Sequence, residues 1–311
     1  MNRATGIRTL AVVAIAVFVL ADSSPAATFR YRLSGDWPTV TDGTGPGWGL
    51  NPNNDGSAGA GLPGGSDDAR INWGGNTVSV NTAVPTVNRV QIGVDESGTV
   101  EVNSGGTLTA AQDILAGNNN PNATGTLTVN DGGTVSVGRI LWAANNDSTG
   151  AININSGGQV NVASHLWWGV SGNATIQISG TLNQTGGILG LGTNNASTAT
   201  GGTATVSILD GGLLALNNIS GAPGLPSIQA GSSIDISGSG QLTLPGDFVG
   251  LLTDYANANK IGGNGVPGPS NLTIDLTKNP GFTTAYVAIP EPATLLMLSL
   301  AVGGVLFGRR R

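Results

Sequence analysis

The sequence predicts an all-β protein whose body is a right-handed parallel β-helix, a solenoid of about seven coils. Three observations lead there. A Gly-Gly turn recurs with near-identical flanks, as in Val102-Asn103-Ser104-Gly105-Gly106-Thr107, Val129-Asn130-Asp131-Gly132-Gly133-Thr134 and Ile154-Asn155-Ser156-Gly157-Gly158-Gln159. Apolar residues alternate with Thr, Asn and Ser on both sides of each turn, the period-2 signature of a strand with one buried face. The units are also too short to bury their own apolar positions, so they have to stack on one another. A sandwich gives no reason for a fixed spacing of near-identical turns, and propeller blades need roughly 40 residues or more each.

The chain divides into five parts. Residues 1–26 read as a secretory signal peptide: Arg3 and Arg8 precede an apolar run from Leu10 to Leu20, and Ser24-Pro25-Ala26 offers small residues for cleavage by signal peptidase. Residues 28–75 read as an N-terminal cap containing Trp37 and Trp48, and residues 76–257 as the repeats. Residues 258–289 read as a Gly/Pro/Asn-rich loop and spacer, followed by a last strand over 282–289. Residues 290–311 begin Pro290-Glu291-Pro292, continue through a short apolar run suited to a transmembrane helix, and end in Arg309, Arg310 and Arg311.

Within the repeats the units are expected to close on Gly93, Gly117, Ala143, Gly169, Gly192, Gly221 and Gly250. Inward positions expected from the alternation include Val100, Val102, Leu108, Leu127, Val129 and Val135. Asn or Gly at one point of every coil would let side chains stack in ladders. At about 4.8 Å per strand, seven coils would make a rod of roughly 30–35 Å.

Composition narrows the functions. Between Thr28 and Ile289 there are seven basic and sixteen acidic residues, a balance of −9. Cations this sparse argue against a nucleic-acid partner, which needs clustered Lys and Arg. The chain has no cysteine, so an exported body would fold on packing and hydrogen bonds alone. No cofactor is expected. A zinc site would need more ligands than His165, the single histidine, can supply. Glycoside hydrolysis requires two placed carboxyl groups. Asp131 and Asp210 sit in Asp-Gly-Gly turns whose local hydrogen bonding accounts for them, so the chain is read as a non-enzyme.

Aligning the closing triplets gives three columns. Ile92, Ala116, Trp142, Trp168 and Leu191 read as an interior stack, the alternative being a sugar-stacking platform. Leu115, Leu141 and Trp167 read as an outward apolar stripe, either covered by a loop or forming the candidate ligand contact. Arg89, Asp113, Arg139 and His165 read as an outward column in which opposite charges one coil apart would pair.

Two resemblances add to this. Pro290-Glu291-Pro292, the short apolar run and Arg309-Arg310-Arg311, in that order, closely resemble the PEP-CTERM sorting signal, also catalogued as an ice-binding protein C-terminal domain. The resemblance implies an exosortase as partner, a Gram-negative host that makes exopolysaccharide and biofilm, transient anchoring by the C-terminal helix, and processing near Pro290 to Pro292. Trp37 and Trp48 followed by Asp67-Asp68-Ala69-Arg70-Ile71 are similar to the opening of exported autotransporter-passenger and pectin-lyase-like repeat proteins, which implies a fold and no activity. The function expected is therefore a non-enzymatic cell-surface or matrix structural protein, with exopolysaccharide as a candidate partner. The alternative is a carbohydrate-binding surface module. Further alternatives are a polysaccharide-degrading β-helix enzyme and an ice-binding protein suggested by the pairs Thr107/Thr109 and Thr126/Thr128.

Overall fold

A computed structural model describes residues 27–38, 47–50, 61–193, 201–221 and 226–288. The segment read as a signal peptide, 1–26, and the one that resembles a sorting signal, including Pro290, Glu291, Pro292, Arg309, Arg310 and Arg311, lie outside the described residues. Among the described residues no helix is long and apolar enough to cross a membrane.

The body is a parallel β-solenoid of about seven turns built on three sheets. Each full turn contributes one strand to each sheet. In one turn Gly98–Val102 belongs to sheet II, Thr107–Ala110 to sheet III and Ile114–Ala116 to sheet I. The next turn repeats the order with Thr124–Val129, Thr134–Val137 and Ile140–Ala143, each parallel to its predecessor. Alternation then forces interior stacks of like residues. Val78, Val100, Leu127, Ile152, Ile176, Val206 and Ile234 form one in sheet II, and Leu108, Val135, Val160, Leu182, Leu214 and Leu242 another in sheet III. All are essentially without solvent exposure, which is the burial that no single unit could reach alone.

The Gly-Gly turn uses its two glycines differently. The first adopts positive φ, +78° at Gly105, +69° at Gly132 and +80° at Gly157, a region that costs a residue with a Cβ free energy. The second lies against the preceding coil: a Cβ on Gly106 would meet the Val80 carbonyl oxygen at 2.0 Å, and one on Gly133 the Val102 oxygen at 2.4 Å. Beside these turns runs the expected ladder. The amides of Asn155, Asn130 and Asn103 donate in series to the side-chain oxygens of Asn130, Asn103 and Asn81 at 2.7, 2.6 and 2.8 Å, and Asn81 donates to Asp36.

Both ends of the solenoid are covered. At the N-terminal end Gly47–Leu50 pairs antiparallel with Thr28–Arg32. Tyr31, Trp37 and Trp48 are fully buried there, and the Trp48 indole N–H donates to the Trp37 carbonyl at 2.7 Å. The cap is shorter than the 28–75 expected, because Asp68–Ile71 is already a parallel strand of sheet I. The other end differs more from expectation. Val249–Asn257 is a helix, so Gly250 is a helical residue and closes no coil. Leu252, Tyr255 and Ala256 pack inward from it, and the Tyr255 hydroxyl receives the Ser227 N–H at 2.8 Å. The segment read as spacer holds strands Ile261–Gly263 and Thr273–Asn279, and the last strand spans Phe282–Tyr286. That strand runs antiparallel to Gln241–Pro245 and ends sheet III together with Thr273–Asn279. Antiparallel strands finish sheet I at the N-terminal end and sheets II and III at the C-terminal end, which blunts edges that would otherwise invite end-to-end pairing.

Candidate functional site

The outward face of sheet I is where the sequence departs from the neutral hydroxyl and amide pattern of the repeats. Its register runs Arg30, Arg70, Gln91, Leu115, Trp142, Trp167 and Gly190 along one outward column. The interior columns on either side are Val90, Ile114, Leu141, Leu166 and Leu189, and Ile92, Ala116, Ala143, Trp168 and Leu191.

This register corrects the sequence reading by one residue in one coil. Leu141, expected on the outward stripe, is fully buried, and Trp142, expected inside, stands outward beside Leu115 and Trp167. The cause is the closing residue. The N–H groups of Gly117, Ala144, Gly169 and Gly192 each donate to the coil before at 2.7–2.9 Å, so Ala144, and not Ala143, continues the glycine column. Ala144 has φ +57°, in line with +79° at Gly117 and +65° at Gly169. An alanine in that conformation is easy to overlook. The turns carried the answer, since Gly106 to Gly133 is the same interval as Gly117 to Ala144. In the following coil the closure falls on Gln229, which donates to the Leu191 carbonyl, while Gly221 lies outside that column. Inside, Ala116 and Ala143 are stacked next to Trp168, small residues that leave room for the indole.

On the outward side the two half-buried indoles of Trp142 and Trp167 meet edge to face, 4.7 Å between centroids and 84° between planes. His165 stacks on Trp167 at 4.9 Å and accepts the Ile188 N–H on Nδ1 at 3.1 Å. Burial holds its pKa below the usual imidazole value, so it is a neutral ring at pH 7 and part of the aromatic cluster.

Asp113 lies beneath two guanidinium groups, its side chain 6 % exposed. Arg139 grips both carboxylate oxygens, and Arg89 Nε stands 3.8 Å away on the other side. The bidentate bond raises the Arg139 pKa. The charge alternation expected for this column is therefore present. In strict register it is Ile140 that lies beside His165, and Arg139 reaches Asp113 from the turn just before the strand.

Toward the N-terminal cap, Arg30 and Arg70 share Asp95 at 3.6 and 4.0 Å, and Arg30 lies 6.0 Å from the centre of the Trp73 ring. Arg30 and Arg70, 40 residues apart, were not singled out as site residues from the sequence, and Trp142 was read into the interior stack, with a sugar-stacking platform as the alternative. A second concavity, about 500 Å³, opens on sheet III between Asn183, Leu213, Gln241, Thr243 and the overhanging Pro280 and Phe282; it carries no titratable group. Among the described residues no cluster of three or more His, Cys, Asp or Glu could hold a metal ion.

No protein-family model, curated protein sequence or solved structure matches this chain.

Proposed function

We propose that this protein is an exported, non-enzymatic structural component of a cell surface or extracellular matrix, carried there by the route that the PEP-CTERM resemblance implies. The observation that supports it best is the join between body and tail. The solenoid is closed at both ends, and its last strand, Phe282–Tyr286, stops just before Pro290-Glu291-Pro292. A covered rod followed at once by a sorting signal suits a passenger delivered intact and held at a surface. The faces of sheets II and III support the same reading. Thr77, Thr99, Thr126, Thr175 and Thr205 stand in register on one, interrupted by Ala151 between Thr126 and Thr175, and Thr109, Ser136, Asn161 and Asn183 on the other. Such hydroxyl and amide rows hydrate well and place no acid–base pair for catalysis.

Intact-mass analysis of the protein from its native host provides the test. The mature form is expected to lack residues 293–311, with a C-terminus near Glu291 or Pro292. Recovery of the chain through Arg311 as the major surface form overturns the route.

A second reading, a carbohydrate-binding surface module, is favoured by the outward Trp142–Trp167 pair. Half-buried indoles present large apolar area at low entropic cost and keep a polar N–H for orientation. Glycan-array binding that depends on Trp142 and Trp167 would support it.

A further inference from the structure

We propose that the outward face of sheet I binds an acidic polysaccharide, its carboxylates received by arginines and its sugar rings packed against Trp142 and Trp167. This rests on the carbohydrate-binding reading and names the class of glycan. The first ground is the distribution of charge. The body holds seven basic residues against sixteen acidic ones, yet Arg30, Arg70, Arg89 and Arg139 all gather on or at the rim of this one face. They come from separate coils and are brought together only by stacking.

The second ground is a surplus of hydrogen-bond donors. Arg30 Nε and Nη2, Arg70 Nε, Arg89 Nε and Trp167 Nε1 have no hydrogen-bond partner among the described residues, and neither does Gln91 Oε1 in the same column. Buried polar groups are ordinarily paired, and leaving one unpaired costs about 1–3 kcal/mol. Other unpaired buried atoms, such as Trp37 Nε1 and Trp168 Nε1, belong to the interior; those named here share one outward face. The carboxylates nearby are already engaged. Asp68 accepts from Asn88, Asp95 from Asn72, and Asp113 from Arg139. Arginine presents five N–H donors in a planar fork that matches a carboxylate. These atoms are shielded from solvent, so the guanidinium nitrogens among them lay positive potential beneath the face, and an anionic ligand would meet the exposed parts of Arg70, Arg89 and Arg139.

The third ground is reach. The side chains of Arg70, Arg89 and Arg139 are 28, 42 and 49 % exposed, so these are the ones a ligand meets, with Arg30 buried beneath as fixed positive charge. The aromatic pair lies along the same column, separated from Arg70 only by Gln91 and Leu115. An extended chain laid across the strands would touch guanidinium, amide and indole in turn. A neutral glycan would meet the indoles and gain nothing from the exposed guanidinium charge.

Protein produced from the full-length chain is titrated by calorimetry with a polyuronate, with a neutral glucan of matched length, and with duplex DNA. Polyuronate is expected to bind at least about tenfold more tightly than either, and to weaken as salt rises. Arg89→Gln should weaken polyuronate binding about fivefold, and Trp142→Ala about tenfold, each with an unchanged melting transition for the remainder of the solenoid. Equal binding of glucan and polyuronate retains the carbohydrate reading and overturns the acidic class. Binding to no glycan overturns both, and equal binding of DNA overturns the proposal as a mere polyanion surface. Because the wild-type comparison requires no substitution, a variant that fails to fold leaves the test standing.

Discussion

Sheets I and II have the same strand spacing, the same inward aliphatic stacks and the same coil register, yet their outward faces have little in common. On sheet II the outward side chains are mostly Thr, Ser, Asn and Gln in rows, with Glu101 and Asp235 among them, and the Asn81–Asn155 ladder runs down the neighbouring turn. On sheet I the outward column changes from coil to coil, through Arg, Gln, Leu and Trp, and keeps buried donors without partners. Stacking dictates the interior of both sheets and leaves the exterior free. Where the exterior departs from what the repeat needs, something other than folding has to account for it. This contrast is what makes the face of sheet I the candidate site and that of sheet II a coat.

The comparison assumes equal interiors, and the largest effects test that assumption. Val129→Asp in sheet II and Leu141→Asp in sheet I should each destabilise by about 4 kcal/mol or more, since both bury a carboxylate with no cation in the stack. Thr128→Asp, one position away and facing out, should cost less than about 1 kcal/mol, set mainly by repulsion from Glu101 directly opposite. Thermal melting of the three variants measures this. A tolerated Leu141→Asp would restore the earlier alignment and remove Trp142 from the outer face.

Next in size are the turns common to every coil. Gly133→Ala should cost about 2–3 kcal/mol although its φ is ordinary, because the new Cβ would lie 2.4 Å from the Val102 oxygen. Gly105→Ala, at φ +78° and with the Asn81 carbonyl oxygen at an ordinary contact distance of 3.6 Å, should cost only about 1 kcal/mol. Denaturant titration would separate the two, and the reverse order would show that backbone conformation, and not coil contact, sets the turn.

Arg139→Ala sharpens the contrast between exteriors. It leaves Asp113 buried with only Arg89 at 3.8 Å, and about 1–2 kcal/mol should be lost, discounted because the Arg139 side chain is half exposed. Double substitution with Asp113→Asn should recover most of it. Ala144→Gly acts in the opposite direction. At φ +57°, between Gly117 and Gly169 in the closing column, it should raise stability by about 0.5–1 kcal/mol.

The smallest effect is a pH dependence centred on His165 of sheet I. Burial lowers the His165 pKa from its ordinary value of 6.5. Between the folded and unfolded values the unfolded chain binds the proton first, so its contribution is complete above pH 6.5 and declines as pH falls toward the folded value. Melting curves between pH 7.5 and 5 should show a small loss that disappears in His165→Asn.

How much of this could be read in the sequence depended on whether a residue's role is local. The coil corners, the inward Val and Ile positions and the Asn ladder were legible, because a two-residue turn and a period-2 strand impose their own residue types wherever they occur. The C-terminal cap was not. Residues 258–281 have the Gly, Pro and Asn of a loop, and their strands exist through pairing with Ser233–Ile236 and, by way of the last strand, Gln241–Pro245. The candidate site was partly legible: Trp167, Leu115, Arg89, Asp113 and Arg139 were placed outward correctly. Leu141 was not, because a single alanine at positive φ concealed the coil boundary.

By itself the sequence determined a stacked all-β solenoid with Gly-Gly corners, an acidic and cysteine-free body, and a tail whose order of Pro290-Glu291-Pro292, apolar run and arginines carries its own resemblance. Each of these follows from short-range periodicity, composition or a contiguous motif. Only the tertiary structure decided which residues become neighbours across coils. Register along a solenoid is a long-range property, and a shift of one residue exchanges the two faces of a strand. Thus Trp142 reaches the surface beside Trp167, Leu141 turns inward, and arginines at 30, 70, 89 and 139 meet on one face although nothing in their spacing announces it.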